Sequence, residues 1–371
     1  MKSESESKVS SIVADTDKIE KLQSAIEACI EQLKIDFANP NDSASSLLNR
    51  FAAITKLFKE YHPQRPSLLK IAARYFSSKA FVSPSFIASG AVGSGHDLLS
   101  HYLMQHPCVP LPPGREFVNL PIFTERFYKA HFPCETQVQE VISRNGFASV
   151  GMFASIMPST SWIYWAKALN PHMKFVFVLR DPVARALSHW RWNNQVNASV
   201  RRNALWDTQP NLLKAMQIEA AQISDAGCGF HLHEGAGATS YLRHGIYLPF
   251  LKTLESAFGS GAYMLVDYDE LVENPSRIMQ SVYEFLELPN YVPKRMRSLE
   301  RAVSNFGSLE PDETEVRQLL VDFYRPYNLD LSQHVQRDFS WSHTTQSRPG
   351  VSYSTEEVYV EEGLLSAVGV G

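Results

Sequence analysis

Two junctions between a strand and a helix carry the residues of this chain that could bind an anion. In FVFVLRDPVARALSHW, residues 175–190, an apolar run ends at Arg180, Asp-Pro then starts a helix, and Ser188 follows about two turns later. This spacing places a guanidinium and a hydroxyl beside the same strand end, which suits a phosphate monoester. The alternative is a surface arginine paired with Asp181 and a serine that faces solvent.

The second junction is rich in glycine. In FIASGAVGSGHDLLSHYL, residues 86–103, the glycines Gly90, Gly93 and Gly95 would let the backbone curl round a phosphate before a helix starts near His96. The loop does not end in the Gly-Lys-Ser/Thr of a Walker A motif, and it is not GxGxxG. Taken alone, it is equally consistent with a strand-to-helix turn that binds nothing.

The elements that must position these junctions alternate along the chain. The apolar runs SFIASG, FASVGM, KFVFVL and AYMLVD are each followed by a helical pattern. Strands that alternate with helices predict an α/β fold, in which a mostly parallel sheet is covered on both faces.

The two ends of the chain lack the alternation of strand and helix patterns that the middle shows. Three amphipathic helical patterns before residue 81 predict a helical N-terminal extension, which either packs on the main domain or forms a homodimer. We therefore divide the chain into a polar tail with helical extension (1–80), an α/β domain (81–341) and a flexible C-terminal tail (342–371).

Composition restricts the class of protein without naming a function. Of 371 residues, 44% are hydrophobic and 20% charged, which excludes disordered, collagen-like and disulfide-scaffold chains. A net charge of -4 argues against a surface devoted to nucleic acid or anionic membrane. The four widely spaced cysteines indicate buried thiols, with no zinc site. Neither a signal peptide nor a membrane span is visible, so we expect a cytoplasmic protein with no nucleic-acid or membrane partner.

The ordered motifs resemble one known family. KFVFVLRDPVARALSHW is similar to the 3'-phosphate-binding strand, loop and helix of the sulfotransferases that use 3'-phosphoadenosine 5'-phosphosulfate (PAPS). GAVGSGHDLLSHYLMQHP falls where that family has its 5'-phosphosulfate loop. Further segments have counterparts in bacterial and glycan-type members: RFYKAHFP, YLRHGIYLPFL, LVDYDELVENPSRIMQSVYEFLELP and FYRPYNLDLSQHVQRDFSW. The resemblance runs from about Phe86 to Trp341, and it implies a P-loop-like three-layer sandwich.

The resemblance also assigns the binding residues. Arg180 and Ser188 would bind the 3'-phosphate of the nucleotide. The 5'-phosphosulfate would lie on the backbone of Gly90, Ala91, Val92, Gly93, Ser94, Gly95, His96 and Asp97. The basic run KRMRSLER, in which we select Arg297, either adds charge over the nucleotide or forms a solvated helix face together with Lys294, Arg295 and Arg301.

Sulfuryl transfer needs a base for the acceptor proton and donors for the leaving phosphate, and no metal. GREF resembles the Lys-Glu-x-x-Phe segment of the family, so Glu116 is the candidate general base and Arg115 replaces the lysine. An exposed Arg/Glu pair is the alternative.

The chain departs from the family in the phosphosulfate loop. The Lys-x-Gly-Thr-Thr of the family falls on residues 93–97, so the lysine and both threonines are missing. Asp97, in the first helical turn, would repel a phosphate at that helix end. Three accounts remain: a protonated His96 donates to the leaving oxygen, Arg115 or another cation reaches in, or the loop does not support transfer.

The resemblance predicts a PAPS-dependent sulfotransferase that releases adenosine 3',5'-bisphosphate and acts on a hydroxyl or amine of a small molecule, either a natural product or a carbohydrate. The alternative is a catalytically silent nucleotide-binding relative that serves as a scaffold. A P-loop kinase is disfavoured because the loop lysine and the magnesium-binding hydroxyl are missing. Aromatic side chains could stack on an acceptor ring, although such stripes also form cores: Trp162, Tyr164, Trp165, Trp190 and Trp192.

Overall fold

A computed structural model describes residues 74, 77, 79–112, 128–154, 160–200, 211–225, 240–294 and 313–342. Within these ranges, four strands form one parallel sheet in the order β2-β1-β3-β4. The strands are β1 (Phe86–Gly90), β2 (Gly151–Ala154), β3 (Lys174–Leu179) and β4 (Tyr263–Asp267). The predicted parallel α/β architecture is therefore confirmed.

Helices connect and cover the strands. In the described part of the chain they are α1 (His96–Leu103), α2 (Glu135–Asn145), α3 (Thr160–Leu169), α4 (Pro182–Val200), α5 (Leu212–Asp225), α6 (Leu248–Phe258), α7 (Tyr268–Glu273), α8 (Pro275–Phe285) and α9 (Glu313–Val335). Two single turns of 3₁₀ helix, Arg243–Gly245 and Ser260–Ala262, precede α6 and β4.

The sheet is buried on both faces, as continuous apolar strand sequences predict. Side chains alternate between two cores because successive residues of a strand point to opposite faces. Ile87 and Phe175 pack in the core that contains α3 and α6, whereas Ala88 and Val176 pack in the core that contains α1 and α8. The molecule therefore has three layers, with the sheet in the middle.

A third core lies beside the start of α4. It joins Leu187 of α4, Met216 of α5 and Leu320 of α9, and it also contains Tyr241 and Ile246. This cluster fixes the chain segment before α6 against α4, at the end of the sheet where α4 begins.

Two predicted elements differ from the structure. The strand predicted over FASVGM begins only at Gly151, because Phe147 is exposed and the Ser149 N–H donates to the Cys108 carbonyl at 2.8 Å, outside the sheet. The single helix predicted after β4 is two helices, because Asn274 adopts a non-helical conformation, caps α8 through the Arg277 N–H and is followed by Pro275.

Other predictions fall on residues that the structure does not describe. They are the helical extension, apart from the isolated residues 74, 77 and 79–80, and the tail after Ser342. Cys108 and Cys134 are buried free thiols, as predicted, while Cys29 and Cys228 lie outside the described residues.

Candidate active site

The candidate site lies at the point where the strand order reverses. The chain leaves β1 for β2 on one side and leaves β3 for β4 on the other, while β1 and β3 are hydrogen-bonded neighbours. In open α/β sheets, ligands bind in the crevice outside the carboxyl ends of two such strands. The glycine loop follows β1 and Arg180 follows β3, so both predicted junctions border this crevice.

The glycine loop has a conformation that other residues rarely adopt. Gly93 and Gly95 have φ values of +83° and +86°, and the Ser94 N–H donates to the Ala91 carbonyl at 2.9 Å. A side chain at Gly90 would collide with the Ser94 hydroxyl. The glycines are therefore required for this tight turn, whether or not a ligand is bound.

The loop lies directly on the first two turns of α4. A Cβ atom on Gly93 would stand 2.7 Å from the Arg185 carbonyl oxygen and 3.4 Å from the Ser188 Cβ atom. Gly93 therefore permits a close approach, and that approach brings Ser188 to the edge of the loop.

Arg180 binds the glycine loop. Its Nη1 donates to the Gly93 carbonyl at 2.8 Å, and its guanidinium carbon lies 4.8 Å from the centre of the Tyr268 ring. Tyr268 in turn packs against Gly95, and the Tyr247 hydroxyl donates to the Arg180 carbonyl at 2.9 Å. With an exposure of 6%, Arg180 is not the surface residue of the alternative interpretation.

Asp181 acts as a helix cap. Its two carboxylate oxygens accept the N–H groups of Val183 and Ala184 at 3.1 and 3.3 Å, at the start of α4. Burial raises the pKa of Asp181, whereas these two hydrogen bonds and the nearby Arg180 oppose the rise.

His96 and Asp97 form a contact at the start of α1. The Nε2 atom of His96 lies 3.1 Å from Oδ1 of Asp97, and this contact is an ion pair whenever the imidazole is protonated. His96 is buried, whereas 60% of the Asp97 side chain is exposed. Asp97 therefore directs its charge toward solvent and His96.

One polar group in the loop lacks an internal partner. The Ser94 hydroxyl is fully buried and makes no hydrogen bond within the described residues. Buried hydroxyls normally have a partner, so such a group in the glycine turn is available to donate to an anionic ligand.

A second arginine at this site was not predicted from the sequence. Arg185, one turn into α4, is fully buried and donates to the carbonyls of Val92 and Tyr241. A lone arginine five residues after Arg180 in a helical pattern gives no sequence signal of this role. Arg185 interacts with Glu219 of α5, Tyr241 of the segment before α6 and Tyr324 of α9, all of which are distant from it in sequence.

Burial also raises the pKa of the carboxyl group of Asp267, the last residue of β4. Asp267 is 3% exposed and accepts the Asp269 N–H at 2.8 Å, capping α7. Desolvation raises the pKa of Asp267 to about 6, with the nearby Asp269 adding to the rise. Asp267 is paired in register with Leu179, the residue before Arg180, so this carboxyl borders the same strand ends.

Several predicted residues are not brought to the site by the described structure. Glu116, Arg115 and Arg297 lie outside the described residues, and Lys294 is exposed. Trp190 belongs to the core beside α4, and Tyr164 is 51% exposed. Among the described residues, no group of three or more His, Cys, Asp or Glu could hold a metal ion. None of the described helices is both long and apolar enough to cross a bilayer.

Comparison with known proteins identifies the same region. The family model of the sulfotransferase domain matches residues 157–306. Carbohydrate sulfotransferase 15 of Homo sapiens is 22% identical over 188 residues, and that of Rattus norvegicus 24% identical over 187 residues. Each alignment covers 48% of this chain and 32% of the relative, so the chain matches only a minor part of those proteins.

A solved sulfotransferase from Alicyclobacillus acidocaldarius aligns with 71% of this chain and 100% of its own, at 21% identity and a TM-score of 0.49. The strand β3, Arg180 and the helix α4, which the sequence pattern related to sulfotransferases, all lie inside residues 157–306. The comparisons therefore support a relationship between this chain and the sulfotransferases, through the domain model that matches residues 157–306.

Proposed function

We propose that this protein transfers a sulfuryl group from PAPS to an acceptor hydroxyl or amine and releases adenosine 3',5'-bisphosphate. The observation that carries the proposal is the 2.8 Å hydrogen bond between Arg180 and the Gly93 carbonyl, which joins the two predicted phosphate-binding junctions in one crevice. Two anion-binding elements this close suit a ligand that carries a phosphate at each end of one nucleoside.

The positions of the side chains support the nucleotide assignments that the resemblance implies. Arg180 and Ser188 lie beside Gly93 and would bind the 3'-phosphate. The turn from Gly90 to Asp97 would bind the 5'-phosphosulfate, with the start of α1 supplying backbone N–H groups. The partnerless Ser94 hydroxyl supports an anion at this turn. Arg297 is the candidate for additional charge over the nucleotide.

Catalysis would depend on two residues of the chain. Glu116 accepts the proton of the acceptor as the acceptor oxygen or nitrogen forms its bond to sulfur and the sulfur–oxygen bond to the nucleotide phosphate breaks. The protonated His96 donates to the phosphate oxygen that leaves, in place of the missing loop lysine. His96 stands at the start of α1, beside the proposed phosphosulfate turn, and its Nε2 atom lies 3.1 Å from Oδ1 of Asp97. Arg115 is the alternative donor.

The relatives suggest a class of acceptor. Those that match over 48% of this chain are named carbohydrate sulfotransferases. Of the two small-molecule classes predicted from the sequence, we therefore favour a carbohydrate hydroxyl over a natural product.

The direct test is to incubate the purified protein with PAPS and panels of carbohydrates and natural products, and to detect sulfated products by mass spectrometry. Formation of a product that requires both PAPS and protein is expected. A second incubation should contain the Arg180→Ala variant, which should give markedly less product.

One observation favours a second candidate, a catalytically silent nucleotide-binding scaffold. Asp97 places a carboxylate in the first turn of α1, where a leaving phosphate would lie. This candidate predicts that adenosine 3',5'-bisphosphate binds in calorimetry while no acceptor is sulfated. Binding together with turnover would exclude it.

A further inference from the structure

Arg185 connects two chain segments that are distant in sequence. Its Nη1 donates to the Val92 carbonyl at 3.1 Å, and its Nη2 donates to the Tyr241 carbonyl. The side chain is fully buried between them. One guanidinium therefore ties the glycine loop to the segment that precedes α6.

This contact sets the direction of a peptide group in the loop. In a trans peptide, the carbonyl and the following N–H point in opposite directions. Because Arg185 holds the Val92 carbonyl, the Gly93 N–H points away from the guanidinium. Arg180 holds the next carbonyl, that of Gly93, at 2.8 Å. Two arginines thus bind two successive carbonyl oxygens, which would otherwise be free to turn toward an anion and repel it.

The segment before α6, which Arg185 binds through Tyr241, is held in place by further hydrogen bonds. Both carboxylate oxygens of Glu219 are used, accepting the Leu242 N–H at 2.9 Å and the Arg243 N–H at 3.1 Å. The Tyr324 hydroxyl donates to the Leu242 carbonyl at 2.8 Å. Glu219 is buried and near enough to Arg185 for the guanidinium to oppose the rise that burial causes in its pKa. The buried cation and the buried carboxylate therefore compensate each other.

We propose that Arg185 is a positioning residue for the phosphosulfate loop: it holds the Val92 carbonyl back and anchors the loop, through Tyr241, to the segment fixed by Glu219. It acts on the ligand through the backbone of the loop. This inference rests on the proposed function for the identity of the anion, but not for the connection itself.

The test compares Arg185→Lys with the matched control Arg337→Lys. Lysine keeps the charge but lacks the planar fork that reaches two carbonyls. Arg337 is also a bidentate structural arginine, which donates to the Leu265 carbonyl and to Glu270, each at 2.9 Å. We expect Arg185→Lys to weaken the binding of adenosine 3',5'-bisphosphate about tenfold or more in calorimetry, because the released Val92 carbonyl can turn toward the anion and the loop must be ordered on binding. Arg337→Lys should leave the affinity within about twofold of the wild type, a difference too small to represent a lost hydrogen bond.

Amide hydrogen exchange provides a readout that needs no nucleotide. In folded Arg185→Lys, amides of residues 91–95 should exchange about tenfold faster than in the wild type, because local opening of the loop becomes easier. Unchanged exchange and unchanged affinity would overturn the proposal and leave Arg185 a stabilising residue only. If the wild type itself binds no adenosine 3',5'-bisphosphate, the proposed function fails, and exchange alone decides the positioning role.

A second variant covers the case in which Arg185→Lys does not fold. Glu219→Gln leaves Arg185 in place but removes one of the two oxygens that hold the Leu242 and Arg243 N–H groups. Faster exchange at residues 241–243 is expected whether or not Arg185 positions the glycine loop. Faster exchange at residues 91–95 as well would support transmission through Arg185, and acceleration confined to residues 241–243 would refute it.

Discussion

At the scale of single residues, the candidate site relies on charges that are kept away from water. Arg180 is held between the Gly93 carbonyl and the Tyr268 ring. A preoriented, largely desolvated guanidinium loses little freedom on binding a phosphate and interacts with it more strongly than an exposed one. Substitutions here should therefore have larger effects than substitutions of surface arginines.

Replacing Arg180 by alanine should weaken the binding of adenosine 3',5'-bisphosphate by roughly 1.5 to 3 kcal/mol, the usual contribution of a hydrogen bond to a charged group. Isothermal titration calorimetry measures this change. The control is Arg325→Ala, which removes an exposed ion pair with Asp322 and should not change the affinity. Equal affinities for Arg180→Ala and wild type would remove the 3'-phosphate assignment.

Glu116→Gln tests the proposed base. The substitution keeps the size of the side chain but cannot accept the acceptor proton, so turnover should fall by about 10²-fold or more. Affinity for adenosine 3',5'-bisphosphate should stay at the wild-type value, because the group acts on the acceptor. A fully active variant would assign the base to another residue.

At the scale of elements, the loop between β1 and α1 combines a left-handed backbone with a close contact. Gly93 has a φ of +83° and lies against α4. Gly146, at the end of α2, has a similar φ of +77°, but no atom would lie within 4 Å of a Cβ there. Substitutions at the two glycines therefore distinguish the cost of a left-handed backbone from the cost of a steric clash.

Gly146→Ala should lower the free energy of unfolding by about 1 kcal/mol, the cost of a left-handed alanine. Gly93→Ala should cost more, because its Cβ would stand 2.7 Å from the Arg185 carbonyl. It should also weaken the binding of adenosine 3',5'-bisphosphate. Urea denaturation and calorimetry measure the two effects, and equal stability losses with unchanged affinity would contradict the assignment.

The sequence predicts these elements unevenly, for identifiable reasons. KFVFVL is buried on both faces, and its apolar run coincides with β3. The start of β2 is missed because Phe147 and Ala148 extend the apolar pattern, although Phe147 is exposed. Arg180 and the glycine loop are found because strand ends at one edge of a parallel sheet converge. Arg185 is missed because its burial depends on α5, which is far away in sequence.

At the scale of the whole molecule, the buried carboxyls make stability depend on pH. In the folded chain the pKa of Asp267 is raised from its ordinary value of 3.8 to about 6. Between these values the folded state keeps a proton that the unfolded state has released. The contribution of this group to stability therefore falls as the pH rises from about 4 to about 6.

Asp267→Asn removes this titration and keeps a side-chain oxygen for the Asp269 N–H. The measured quantity is the difference in stability, defined as the free energy of unfolding of the wild type minus that of the variant. This difference should decrease as the pH rises from about 4 to about 6 and then remain constant. Urea denaturation across this pH range measures it. A flat difference for Asp267→Asn would mean that its carboxyl titrates normally.

The order of the strands has a consequence for how similar chains are matched to the sulfotransferase domain model. The matched stretch, residues 157–306, begins after β1 and β2, so it includes the arginine turn but not the glycine turn on the other side of the crevice. The stretch that matches the domain model and the proposed phosphosulfate turn thus lie in separate parts of the sequence. A homologue could therefore lose the proposed phosphosulfate turn completely and still match the same domain model.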